Sequence, residues 1–159
     1  MLTREEGQQL NTIWRSIITI WIALFASLPV YLGICLLLDK QQLVDMDPGF
    51  PLKIFAFALI AVSLLTLFGT SVVRKKLLTV GKKGKGGDWL QQVKAKYTGA
   101  TVISAALSES IGVYGLVLFL ISQNFVLLCQ FLLLSAIAMF FYRPRKAELM
   151  GFATEMKKG

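Results

Sequence analysis

The sequence predicts an all-α polytopic membrane protein, a single domain over residues 1–159, with four transmembrane helices and both termini in the cytoplasm. Hydrophobic residues make up 55% of the 159 residues and charged residues only 16%, which is not the balance of a soluble domain. Four apolar segments are each long enough to cross about 30 Å of hydrocarbon. In a four-span arrangement, 15 of the 17 lysines and arginines fall on one side. The positive-inside rule assigns that side to the cytoplasm, and we expect a plasma membrane of the bacterial inner-membrane type.

The first span is predicted over about residues 17–38, with an amphipathic helix leading into it. Thr3 and Glu6 fit a capping box, in which each side chain accepts a hydrogen bond from the backbone N–H of the other. Apolar residues then recur at helical spacing, which is typical of a helix lying in the membrane interface. Pro29 should kink the span. The apolar run is longer than the core of a signal peptide, so we expect the span to be retained.

The second span is predicted over about residues 54–73, after a polar connection with three aspartates and several turn-forming residues. Several hydroxyl side chains share one face of this span: Ser63, Thr66, Thr70 and Ser71. Such hydroxyls either bond to carbonyls of their own helix or offer hydrogen bonds to a neighbouring helix.

A basic cytoplasmic loop is predicted over residues 74–97. Its GKKGKGG run does not match a phosphate-binding loop. Trp89, Val93 and Tyr97 fall on one side of a short helix, with Lys94 nearby. We expect this piece to lie on the membrane surface against anionic lipid headgroups. Because the basic residues sit beside membrane spans, orientation and lipid contact explain the net charge of +8 more simply than nucleic-acid binding does.

The third and fourth spans are predicted over about residues 100–121 and 125–142, as an antiparallel hairpin with a tight turn between them. Basic residues follow the fourth span, and apolar residues at helical spacing after them indicate another surface-lying segment. Glu148 and Glu155 in that segment are expected to be solvated surface charges.

Glu109 is the only carboxylate within the four predicted spans. A carboxylate at the middle of a bilayer costs about 3 kcal/mol by insertion scales, so such residues usually have a partner, a proton or a function. Glu109 borders a stripe of small residues spaced by three or four positions: Thr101, Ala105, Ser108, Gly112 and Gly115. Such a stripe permits close helix packing. We therefore expect Glu109 to face a neighbouring helix, from its own chain or from another subunit.

The twelve residues ALSESIGVYGLV, positions 106–117, resemble the carboxylate-bearing helix of the proteolipid c subunits of rotary F-type and V-type ATPases. In that family the helix also follows a polar cytoplasmic loop and runs outward. The resemblance implies that Glu109 takes up and releases a proton or Na⁺, with Ser108 and Tyr114 as candidate site partners. It also implies a larger membrane complex or a homo-oligomer.

A second hypothesis is a structural or assembly subunit of a membrane complex, in which Glu109 anchors one helix to another. Intramembrane acids commonly serve this purpose, and a four-span chain with short outer loops and no catalytic constellation suits that role. A small transporter or channel, with a single acidic residue as its selectivity element, is a third.

An enzyme is not expected. The sequence has no histidine, and its two cysteines, Cys35 and Cys129, lie inside apolar segments. Nothing pairs a nucleophile with a base, and these residues do not form a metal or haem site. We therefore expect no cofactor and no metal.

Overall fold

The computed structural model describes residues 3–39, 51–79 and 89–158. Six helices run through these ranges, which confirms the all-α fold class: α1 Arg4–Phe25, α2 Ser27–Asp39, α3 Leu52–Leu78, α4 Trp89–Ser122, α5 Phe125–Phe141 and α6 Lys146–Lys158. The polar connection after α2 and the GKKGKGG run lie outside the described residues.

Three candidate membrane spans stand out by length and composition: α1 together with α2, then α3, then α4. The fourth candidate is α5 followed by α6, which are bent by 45° relative to each other. By itself α5 has 17 residues, or about 25 Å at 1.5 Å per residue, which is the short end of the range for a spanning helix. The described chain thus has three helices able to span a membrane, or four if α5 counts with α6.

The first span is interrupted close to Pro29, where the sequence predicts a kink. Helix α1 ends at Phe25 and α2 begins at Ser27, with a turn at Ala26 between them. The break precedes the proline because a proline has no N–H to donate to the carbonyl four residues earlier, here that of Phe25. The capping box at the start of α1 is also confirmed, since Thr3 N donates to Glu6 Oε2 over 2.7 Å and Glu6 N donates to Thr3 Oγ1 over 3.3 Å.

Helix α4 lies at the centre of the bundle and packs against the other five helices. It forms the predicted hairpin with α5. Gln123 turns the chain with a positive φ of 48°, and the Asn124 side chain caps α5 by accepting from Val126 N and Leu127 N. Trp21 Nε1 adds a tie from α1, because it donates to the carbonyl of Met139 in α5 over 3.2 Å.

The amphipathic segments of the sequence meet one another at one end of the bundle. Leu10 of α1, Val93 of α4 and Leu149 of α6 are each 0% exposed and belong to one apolar cluster. At 34 residues, α4 is about 50 Å long, so its first turns extend beyond about 30 Å of hydrocarbon. The apolar faces expected to lie on lipid therefore cover one another. We call this packed arrangement of the start of α1, the start of α4 and α6 the terminal layer.

An ion pair joins the two ends of the chain within the terminal layer. Lys157 Nζ donates to Glu6 Oε2 over 2.8 Å, which ties α6 to the first turn of α1. The Lys157 ammonium, and next the backbone N–H of Thr3, hold the pKa of the Glu6 carboxyl below its ordinary value. Both groups are partly exposed, so this pair contributes little to stability by itself.

The hydroxyl face of α3 bonds to its own helix. Each of the four predicted hydroxyls donates to the carbonyl four residues earlier, at 2.7 to 3.3 Å. Ser71 in addition shares a hydrogen bond of 2.5 Å with the Tyr142 hydroxyl at the end of α5. All four hydroxyls therefore bond to carbonyls of their own helix, and Ser71 in addition bonds to a residue outside that helix.

Candidate functional site

The Glu109 side chain of α4 points toward α2 and contacts a tyrosine of the same chain. The Tyr31 hydroxyl donates a hydrogen bond to Glu109 Oε1 over 2.7 Å. Both side chains are partly buried. The neighbouring helix expected for Glu109 is therefore α2, and among the described residues its side-chain partner is a phenol rather than a charged group.

Tyr31 is not among the residues that the sequence pattern singles out. A tyrosine inside an apolar span is itself a signal, because a buried phenol needs a hydrogen-bond acceptor. Residues 17–38 and 100–121 both run outward in the predicted topology, with Tyr31 placed about 7.5 Å deeper along its span than Glu109 along its own, at 1.5 Å per residue. The sequence does not show which faces of the two helices meet, and this decides whether the phenol reaches the carboxylate.

Ser108 and Tyr114 lie on other faces of α4 than Glu109. Ser108 is fully buried, and its hydroxyl donates to the carbonyl of Ser104 over 2.8 Å. Tyr114 follows Glu109 by five positions, which is about 140° around a helix, and it packs in an apolar cluster with Ile111 and with residues of α3. The structure does not bring these two hydroxyls to the Glu109 carboxylate.

The stripe of small residues is buried along its whole length, from Thr101 and Ala105 to the two glycines. A Cβ atom at Gly115 would lie 2.6 Å from Phe131 Cβ, and one at Gly112 would lie 3.0 Å from Leu28 Cδ2. Nearby, Ser135 Oγ of α5 donates to the carbonyl of Ser108 over 2.7 Å. The stripe therefore faces α5 and α2 of the same chain.

The charged end of the bundle holds a second polar cluster, which we call the Tyr97 network. Arg74 at the end of α3 pairs with Glu148 of α6 over 2.7 Å and also donates to the carbonyl of Tyr142 over 2.8 Å. The buried Tyr97 hydroxyl lies 3.1 Å from Glu148 Oε2, and the backbone N–H of Arg145 donates to it over 3.1 Å.

The interpretation of Glu148 as a solvated surface charge is wrong. The side chain is only 35% exposed and is bound by Arg74 and Tyr97. The 45° bend between α5 and α6 turns α6 back toward the ends of α3 and α4, and its first turn then meets Arg74. Spacing along α6 alone does not show that bend.

No group of three or more histidine, cysteine, aspartate or glutamate residues is placed to hold a metal ion within the described part of the chain. Cys35 is buried, Cys129 is exposed, and both are free thiols. Cys35 shares an apolar cluster with Leu128 and Leu132 of α5. The two cysteine-bearing helices, α2 and α5, therefore touch.

Comparison with known proteins gives no relative. No protein-family model matches the sequence, and neither a curated protein nor a solved structure matches it at a significant level.

Proposed function

We propose that this chain is a proteolipid-like membrane subunit in which Glu109 carries a proton or Na⁺ within a larger complex. The observation that supports it is the neutral partner of Glu109. A carboxylate paired with arginine or lysine stays ionised, whereas one held by a phenol can bind and release a cation without breaking an ion pair. The four predicted spans contain no lysine or arginine, so the cation that displaces the ion would come from another subunit.

The geometry favours a proton over Na⁺. Na⁺ in proteins is held by several oxygen ligands, and the two hydroxyls that the resemblance implies as site partners do not supply them. Ser108 is fully buried and Tyr114 packs in an apolar cluster, both on other faces of α4 than Glu109. The Tyr31 hydroxyl is the one side-chain partner that the described residues give to Glu109. A carboxyl with one donor can hold a proton but offers Na⁺ an incomplete shell.

In the proposed topology the chain crosses a bacterial-type inner membrane four times, and both termini and the terminal layer lie on the cytoplasmic side. This topology rests on the distribution of lysine and arginine. One face of α3 is apolar and exposed, with Phe57, Leu65 and Phe68 each 70–72% exposed. Lipid, another copy of the chain or another subunit would cover that face.

The test is labelling of the native membrane assembly with a hydrophobic carbodiimide, read by intact mass across pH and with or without Na⁺. These reagents modify a carboxyl group that is protonated and shielded from water. We expect modification of Glu109 alone, falling as the pH rises and unaffected by Na⁺. Protection by Na⁺ would assign Na⁺ instead. The absence of labelling in an assembly shown to be intact would contradict the ion-carrier proposal.

The alternative of an assembly subunit is favoured by the same hydrogen bond, because Tyr31 and Glu109 join α2 to α4. The structure makes the two functions separable. In Glu109→Gln the amide oxygen can still accept from Tyr31, so an anchor would survive, but the ion-carrying carboxyl is gone. In Tyr31→Phe the carboxyl remains and the anchor is lost.

These two variants form a matched pair for membrane vesicles carrying the native assembly. We expect Glu109→Gln to leave the assembly intact and to abolish ion flux. We expect Tyr31→Phe to retain part of the flux and to cost about 1 kcal/mol of helix association. The reverse pattern, with Glu109→Gln harmless and Tyr31→Phe dissociating the complex, would make Glu109 an anchor.

A further inference from the structure

A basic pocket of about 700 Å³ opens where the C-terminal ends of α3 and α5 meet the start of α6. Four of its lining residues are basic, Arg74, Lys75, Arg143 and Arg145, and one is acidic, Glu148. Glu148 is paired with Arg74. Across residues 3–39, 51–79 and 89–158 no carboxylate forms an ion pair with the other three cations. Four positive charges and one negative charge leave the pocket with a charge of +3.

An apolar groove of about 200 Å³ adjoins the basic pocket and shares Phe141 and Tyr142 with it. The rest of the groove is lined by α3 and α5, through Leu67, Leu134, Ile137 and Ala138. The groove is open on one side, since Phe141 is 71% and Ile137 is 58% exposed. Nothing in the described chain covers it.

The basic pocket and the apolar groove are arranged like the headgroup and the acyl chain of a membrane lipid. The basic pocket lies at the ends of α3 and α5, where these helices leave the predicted membrane. Ile137 and Leu134 lie one and two turns back along α5 from Phe141, toward the bilayer interior. A single amphiphile could therefore place an anionic head among the cations and an apolar chain along α5.

We propose that this composite site binds one anionic phospholipid, with its phosphate at Lys75, Arg143 and Arg145 and an acyl chain along the α3–α5 groove. Charge complementarity selects an anionic headgroup, because a zwitterionic lipid would bring its own positive charge into a pocket that already has a net charge of +3. The groove favours a phospholipid over free phosphate, because an inorganic anion makes no apolar contact with Ile137 or Phe141. The site is independent of Glu109.

The experiment is native mass spectrometry of the full-length protein after equilibration with phosphatidylglycerol or phosphatidylcholine of identical acyl chains. We expect one retained phosphatidylglycerol and no comparable retention of phosphatidylcholine. Arg143→Gln combined with Arg145→Gln should weaken retention about tenfold or more. The substitutions leave the backbone bonds of Arg145 to Tyr97 in place, so the Tyr97 network should persist.

Two controls match charge and shape. Lys94→Gln with Lys96→Gln removes the same charge from α4, away from the pocket, and should leave retention unchanged. Ile137→Trp fills the groove and should reduce retention, whereas Leu133→Trp, at a residue 62% exposed on the same helix but outside the groove, should not.

Several results would overturn the proposal. Equal retention of the two lipids would show that headgroup charge is not recognised, and equal loss in the Lys94 and Lys96 variant would show general attraction to a basic protein. Retention that survives Ile137→Trp, or that millimolar glycerol phosphate abolishes, would show that the groove plays no part.

Discussion

Replacing Gly115 with alanine is expected to destabilise the hairpin of α4 and α5 by roughly 1–3 kcal/mol, the usual cost of overpacking. The added Cβ would lie 2.6 Å from Phe131 Cβ and 3.3 Å from the Leu128 carbonyl oxygen. Neither atom is at the end of a flexible side chain, so the clash is relieved only if the two helix backbones move apart.

Other glycines of α4 provide matched controls for Gly115. A Cβ at Gly99 meets nothing within 4 Å, so Gly99→Ala should stabilise the helix by about 0.5–1 kcal/mol. Gly112→Ala should fall between the two, because its nearest contact is the movable Leu28 Cδ2 at 3.0 Å. The measurement is reversible unfolding in mixed micelles. A Gly115→Ala protein as stable as the Gly99→Ala protein would contradict the close approach of α4 and α5.

Replacing Tyr97 with phenylalanine is expected to loosen α6 and to cost about 1–3 kcal/mol, the price of leaving buried polar groups without partners. The Tyr97 hydroxyl accepts from Arg145 N and lies within hydrogen-bond distance of both the Arg145 carbonyl and Glu148 Oε2, all at 3.1 Å. The ring is 0% exposed, so water does not readily replace the lost hydroxyl.

The effect of Tyr97→Phe should appear first in α6. We expect its backbone amides to exchange with deuterium faster than in the parent protein, while the amides of α5 keep their protection. Tyr114→Phe is the control, because it makes the same chemical change on the same helix and removes no hydrogen bond to a described residue. If both variants exchange alike, the Tyr97 network does not hold α6 in place.

The candidate site illustrates what a single sequence can specify. Glu109 is evident from the sequence, because an ionisable group in an apolar helix is conspicuous without any tertiary information. Its partner Tyr31 is 78 positions away and belongs to α2, which begins after the break at Ala26. Periodicity along α2 does not show which of its faces meets α4. The resemblance to c subunits implies Ser108 and Tyr114 as site partners, but the rotation of about 100° per residue around a helix places both of them on other faces of α4 than Glu109.

The amino-acid sequence is sufficient to predict the helices, the cap at Thr3, the interruption near Pro29 and the turn before α5. These features depend on apolar length and on hydrogen bonds between residues close in the chain. The surface that each apolar or charged face contacts is visible only in the folded molecule. The faces of the terminal layer cover one another, and Glu148 reaches Arg74 across the end of the bundle. Periodicity shows that a face must be covered, whereas the covering surface depends on how separate helices pack and bend in three dimensions.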